Sequence, residues 1–459
     1  MERNQRLVLV IAILGSFVAF LDGSVITVAL PAISAELGGG LSTQQWVVDA
    51  YLITLGALIL VAGSLSDLFG RIAILRWGLI GFGVASVLCA VAPNSEFLIV
   101  ARSLQGIGGA LLVPSSLALI MSTFRGAAQG KAIGVWTAWT SVAFIIGPLV
   151  GGLFVDLMSW RLIFAINVLP IAVTLWMLVV LRQKDVRQEG ATVDYLGAVL
   201  AVIGVGAPVF ALIEQGNFGW GSPLIYVPMV VGIIALAAFL WRQRVARHPM
   251  MPLDLFTVRN FGMGNLATVA IYAALSLGGF LVTVFLQQVG GYPATLAGLA
   301  LLPSTIILML LSSRFGALAG KHGPRLFMTI GPIIGGIGML LMLTVSAEVN
   351  YWWQILPGVL VFGLGLAITV APLTSAILGA IDERQAGIGS AINNAIARVA
   401  GLIAIAAIGI IVGYELDLGG FHRGLIATAA LLILGGLISW AGIRNSQPQT
   451  ERSSEKAVA

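Results

Sequence analysis

Ionisable side chains stand at several points where this sequence is otherwise apolar. Asp22 lies in "FLDGSVITVALP" (20–31), within a run from Leu7 to Ile33 that holds no other charge. Arg102 follows "FLIVA", Asp49 lies in "WVVDAYLIT" (46–54), and Arg398 lies in "GIGSAINNAIARVAG" (387–401). A charge at membrane depth is costly and needs a partner, a water path or a proton, so it marks a relay or pathway. Asp22 is thus a candidate proton carrier. Arg102 needs a carboxylate, carbonyl groups or a wet cavity, unless it snorkels to the near interface about five residues away. Asp49 is either a second coupling carboxylate or an interfacial residue reached by water. Other chemistries lack their residues. His248, His322 and His422 are far apart, Cys89 is the single cysteine, and no paired metal ligands or nucleophile motif occur. No enzyme activity, metal or cofactor is expected.

The elements that must position these groups are membrane helices. Only 9% of the 459 residues are charged, 59% are hydrophobic and 57 are glycine, and the mean hydropathy is +1.02. A soluble chain would carry about a quarter charged residues, and a β-barrel would show short alternating segments. The composition implies an all-α polytopic membrane protein. "MERNQRLVLVIAILGSF" imitates a signal peptide, but its apolar run is too long and contains Asp22, so the first helix is expected to be retained.

Fourteen spans are predicted, at 8–33, 46–66, 73–93, 96–121, 131–155, 160–181, 194–213, 223–241, 260–287, 295–315, 325–345, 352–379, 387–412 and 423–443. With that count, the 24 Lys and Arg residues, all but Arg102, Arg161, Arg398 and Arg423, fall on one side. The positive-inside rule makes that side cytoplasmic, with both termini there; the expected location is a bacterial plasma membrane. The net charge of +5 then reports topology, not nucleic-acid binding.

The chain also repeats itself. "GSLSDLFGR" (63–71) and "GALAGKHGPR" (316–325) follow the second helix of each half, and "GGALLVP" (108–114) and "GLAITVAP" (365–372) lie in the fourth. The expected organisation is a six-helix bundle at 1–182, an inserted helix pair with linkers at 183–247, a second bundle at 248–443 and a disordered tail at 444–459. Two bundles with a site between them at midplane is a transporter plan.

Further residues follow from local chemistry. In 63–71, Gly63 would permit close helix approach, Gly70 a tight turn, and Asp67 and Arg71 an i,i+4 pair or a surface ion pair of little worth. In "GPLVGG", Pro148 can bend its helix, while Gly147, Gly151 and Gly152 allow flexing or merely close packing. Trp136, Trp139 and Tyr272 could line a cavity for lipophilic cations. Asn393, Asn394 and Arg398 could join them, or the asparagines could hydrogen-bond between helices.

G-x-L-S-D-x-x-G-R at 63–71 resembles the signature of the major facilitator superfamily. "LDGSVITVALPAI", "WVVDAYLIT", "ARSLQGIGGALLVP", "GPLVGG", "WRLIFAINVLP" and "GIGSAINNAIARVAG" are similar to segments of its 14-helix drug:proton antiporter branch, over roughly residues 8–443. The resemblance implies a latch role for Asp67 and Arg71, an antiporter motif at 147–152, and Arg102 beside Asp22 tuning its proton affinity. The chain departs from some members in having no acid deep in its last six helices, and Gly320 stands where the first half has Asp67. The expected function is proton-driven export of small lipophilic or amphipathic compounds by alternating access, powered by the proton gradient and without cofactors. The alternative is export of a specific metabolite, peptide, siderophore or self-made antibiotic. Partners would be the substrate, protons and the bilayer; a monomer is expected, and a periplasmic adaptor is compatible with it.

Overall fold

The computed structural model describes residues 3–181, 185, 193–247, 249–382 and 385–445. The expected disordered tail, from residue 446 on, lies outside the described residues, as do His248 and most of the linker after residue 181. Fourteen helices are long and apolar enough to span a membrane. They are α1 (Arg3–Leu37), α2 (Gly40–Phe69), α3 (Arg71–Ala90), α4 (Ser95–Thr123), α5 (Ala128–Leu157), α6 (Leu162–Val180) and α7 (Tyr195–Phe218). Then come α8 (Pro223–Val245), α9 (Arg259–Gln288), α10 (Ala294–His322), α11 (Pro324–Thr344), α12 (Tyr351–Leu378), α13 (Ala386–Ala406) and α14 (Leu418–Gly442). The described residues contain no strand. Helices satisfy their backbone groups internally, which hydrocarbon requires. An even number of spans puts Arg3 and Asn445 at one face, called here the terminal face.

Several helices exceed their apolar runs. α2 starts at Gly40, not 46, because its polar first turns find partners: Gln44 donates to Ser34 at 2.8 Å and Gln45 to the carbonyls of Ile405 and Ala406 at 2.7 and 2.9 Å. α13 stops at Ala406, short of 412, and a separate short helix, Ile408–Val412, follows before Gly413 turns the chain at φ +93°. α6 is interrupted at Ile166–Asn167, where the Asn167 N–H bonds to Phe164 in a tightened turn.

α1 to α6 pack on one another, α9 to α14 do likewise, and α7–α8 lie together against α2 and α13. The repeat in sequence is a repeat in packing. A Cβ at Gly108 of α4 would come within 2.6 Å of the Phe82 nitrogen of α3. At the equivalent crossing, a Cβ on Gly365 of α12 would overlap the Gly335 backbone of α11. Only glycine lets these backbones cross so closely. The tight turns match too, with Gly70 at φ +103° and Gly323 at φ +86°. Each is followed by a helix capped from a distant segment: Asp185 accepts from the Ile72 and Ala73 N–H groups, Asn445 from that of Arg325.

The bundles meet in the half of the molecule away from the terminal face. There Gln45 binds the end of α13, and Asp156 accepts from the Ala294 and Thr295 N–H groups, each at 2.8 Å. Trp46 and Ser42 of α2 also bind Glu214 of α7, and Gln215 of α7 donates to Tyr414 beyond α13. The molecule is therefore shut at the face opposite the termini.

Candidate functional site

Asp22 is fully buried and both its carboxylate oxygens are occupied. Oδ2 accepts from Arg102 Nη1 at 2.6 Å; Oδ1 accepts from Gln105 Nε2 at 2.8 Å and from Asn167 Nδ2 at 3.2 Å. Three helices supply the set. Arg102 and Gln105 are three apart on α4 and share a face, Asn167 sits at the break in α6, and Asp22 comes from α1. The network extends to Ser86 of α3, which accepts from Gln105 at 3.0 Å. Arg102 is itself held by the Val47 carbonyl at 2.9 Å and by Gln105 Oε1 at 2.6 Å, with its guanidinium carbon 4.4 Å from the Tyr51 ring centroid. Arg102 therefore does not snorkel: it is fully buried and paired with Asp22. Every bond to the carboxylate is a donation from a neighbour, the arrangement an ionised acid requires. The Asn167 Oδ1 atom is buried and has no hydrogen-bond partner among the described residues.

Gln105 and Asn167 lie in the 101–114 and 160–170 segments but carry no charge that marks them in the sequence. The available signals were the i,i+3 spacing of Gln105 from Arg102 and an amide within an apolar span.

Asp49 stands apart. It is fully buried, so it is not an interfacial residue reached by water, and neither carboxyl oxygen has a hydrogen-bond partner among the described residues. One turn to either side, Gln45 binds α13 and Ile53 packs with Val209 of α7 and Leu402 of α13. The acid therefore lies on the α2 face turned to those helices.

A cavity of about 520 Å³ lies between the bundles. Arg102, Tyr51, Phe20, Phe144 and Pro148 line it from one bundle, and Tyr272, Phe280, Asn394 and Arg398 from the other. Asp22 is not among its lining residues; Arg102 stands between. Trp136, Trp139 and Asn393 do not line it either. Trp136 donates to Ser16 of α1 at 3.1 Å, and Asn393 donates to Asn265 and Thr268 of α9, each at 3.0 Å. Trp139 is 57% exposed, because five residues place it about 140° around α5 from Phe144.

In the 63–71 turn, Arg71 Nη2 lies 3.7 Å from Asp67 and Nη1 donates to the Ala118 carbonyl at 3.2 Å. A Cβ on Gly63 would meet nothing within 4 Å, so Gly63 is not at a close helix crossing here. In 147–152, Gly147 and Gly151 press against Ser24 and Val25 of α1, while Gly152 abuts the Thr295 backbone across the interface.

Residues 12–405 match the family model of the Major Facilitator Superfamily. The chain belongs to that superfamily. It is 33% identical to the Multidrug resistance protein Stp of Mycobacterium tuberculosis, over 89% of this chain and 76% of that one. It is also 33% identical to the Methylenomycin A resistance protein of Bacillus subtilis, over 95% and 92%. The Puromycin resistance protein pur8 of Streptomyces alboniger is 30% identical, over 98% and 93%. Among solved structures, a peptide transporter POT in complex with sulfate superposes with a TM-score of 0.70 at 16% identity, over 96% of this chain and 94% of that chain, a likeness of fold alone. This member of the major facilitator superfamily is a multi-pass membrane transporter for small molecules and not an enzyme.

Proposed function

We propose that the protein is a proton-coupled antiporter that exports small lipophilic or amphipathic compounds by alternating access. The observation that carries this reading is Asp22: a buried carboxylate, held by donors from α4 and α6 and separated from the interbundle cavity by Arg102. Taking a proton would remove its charge and turn one oxygen into a donor, so the bonds that tie α1 to its neighbours would weaken or rearrange. The same Asn167 amide that donates to Asp22 has a buried Oδ1 with no partner among the described residues, an acceptor suited to the protonated form. Asp49, between α2 and the helices it meets, is taken as a second coupling carboxyl whose surroundings change when the bundles rock.

The concentration of Lys and Arg at the terminal face supports a cytoplasmic location for that face. The closed half then faces outward, and the chain is in its inward-facing form. Asp67, Arg71 and their turn would form the latch that engages when the terminal face closes. The resistance proteins among its relatives support an antibiotic-type cargo.

The test uses inside-out membrane vesicles holding a respiration-driven pH gradient, reported by a pH-sensitive dye. Adding methylenomycin A should release protons in vesicles with the native protein and not in those with Asp22→Asn. An equal response from Asp22→Asn vesicles would refute the coupling role.

A further inference from the structure

Two charged side chains line the interbundle cavity, Arg102 and Arg398, and both are cations. Asp22 answers the charge of Arg102. Arg398 has no such answer: among the described residues no carboxylate pairs with it and no acceptor takes a bond from it. It is anchored close to the other bundle, with its Cβ 3.6 Å from the position a Cβ would take on Gly56 of α2. One turn earlier Asn394 lines the same space, its Nδ2 directed back to the Ser390 carbonyl at 3.3 Å. Phe20, Phe144 and Phe280 supply apolar ring surface.

Among the described residues, a cation here would meet an uncompensated positive charge and no lining acid. Of the two tyrosine rings lining the cavity, Tyr51 already holds Arg102 and Tyr272 feels the charge of Arg398. A carboxylate would instead find a planar guanidinium with unused donors in a cavity sealed at one face, where a two-bond fork is geometrically favoured. A volume of about 520 Å³ suits one small amphipath.

We propose that Arg398 is the anchor of an anion subsite, and that the transported compounds carry a carboxylate on an apolar ring body. This reverses the expectation of lipophilic cations, and it rests on the reading of this cavity as the export site.

The test is equilibrium dialysis with full-length protein in lipid nanodiscs, using empty nanodiscs to subtract partitioning. The probes are dansylglycine, its neutral amide, and a dansyl quaternary ammonium of matched length. The native protein should bind dansylglycine about tenfold or more tighter than the other two, as expected for a charge-assisted fork. Arg398→Gln should bring dansylglycine binding down to the level of its amide, whereas Arg398→Lys, which keeps the charge but not the fork, should retain part of the preference. Equal or stronger binding of the amide or the cation by the native protein refutes the proposal, whatever the variants do. So does a preference that survives in Arg398→Gln, and so does an absence of dansylglycine binding. No proton gradient is present in this measurement. A flat binding series with antibiotic-driven proton release intact overturns the anion subsite alone; the opposite result overturns the proton coupling alone.

Discussion

Gln105→Leu isolates the contribution of a residue that carries no charge and was not flagged by its sequence. The side chain makes three short polar contacts: Nε2 to Asp22 at 2.8 Å, Nε2 to Ser86 at 3.0 Å, and Oε1 from Arg102 at 2.6 Å. Leucine nearly matches its volume, so the cavity penalty is small. Two of the bonds engage an ion, and hydrogen bonds to charged groups contribute about 1.5–3 kcal/mol each, or about 3–6 kcal/mol together. Leucine recovers about 1 kcal/mol by added apolar burial, which leaves a net loss of about 2–5 kcal/mol. The Asp22–Arg102 contact and the Asn167 donor remain, so the fold should survive.

The assay is thermal unfolding of purified protein in detergent, followed by the fluorescence of its 11 tryptophans. Gln287→Leu serves as the reference. Gln287 is only partly buried, and among the described residues its side chain makes one bond, a long 3.4 Å contact to Thr283 in its own helix. Gln105→Leu should melt several degrees below Gln287→Leu and should also lose antibiotic-driven proton release. Equal melting of the two variants would mean that the buried network does not hold α1, α4 and α6 together, and the mechanism built on it would fail.

Two further outcomes follow from other sites. Gly152→Ala places a methyl group against the Thr295 backbone, so it should push α5 from α10 and raise the labelling of a cysteine placed at Thr295 by an impermeant thiol reagent in whole cells; unchanged labelling would mean the closed face does not depend on that contact. At the cap of α7, burial alone would push the Asp194 carboxyl up, but donation from Gly197, Arg242 and Gln243 outweighs burial and holds it below the ordinary carboxylate value. The stability it supplies is therefore complete above the ordinary aspartate range near pH 4 and is lost as pH falls through the depressed value. Asp194→Asn should accordingly lower the melting midpoint at pH 7 and converge on the native protein in strong acid; a constant difference across pH would refute this.

The helices were legible because apolar length and charge asymmetry follow directly from the solvent the chain sits in. Their ends were less so: Gln44 and Gln45 look like loop residues until Ser34 and the end of α13 are placed beside them. Asp22 and Arg102 announce themselves by cost, since an ion in hydrocarbon is conspicuous in any sequence. Gln105 and Asn167 do not, because a neutral amide is inexpensive enough to occur for many reasons, and only the fold shows that both point at one carboxylate. Tryptophan misled for a related cause. Trp139 has the chemistry of a cavity residue, but it shares α5 with Phe144 and Pro148, which face the interbundle cavity, and its own position points elsewhere. Rotation is a tertiary fact.

One helix connects the proposed proton site to the closed face. Within two turns of α1, Asp22 holds the buried network, Ser24 donates to the Ala143 carbonyl of α5 at 2.9 Å, and Val25 and Val28 press on Gly151 of α5. Val28 also packs against Gly298 of α10, in the opposite bundle. Gly147 and Gly151 keep α5 close enough to α1 to move with it, and Gly152 carries the contact across to Thr295. Under the proposed coupling, a change in charge at Asp22 need not travel through a chain of residues. It loosens α1 from α4 and α6, and α1 bears part of the surface that shuts the face opposite the termini. The donors around Asp22 and the glycines of 147–152 are then two ends of one lever, which explains why both should tolerate substitution poorly although they share no contact.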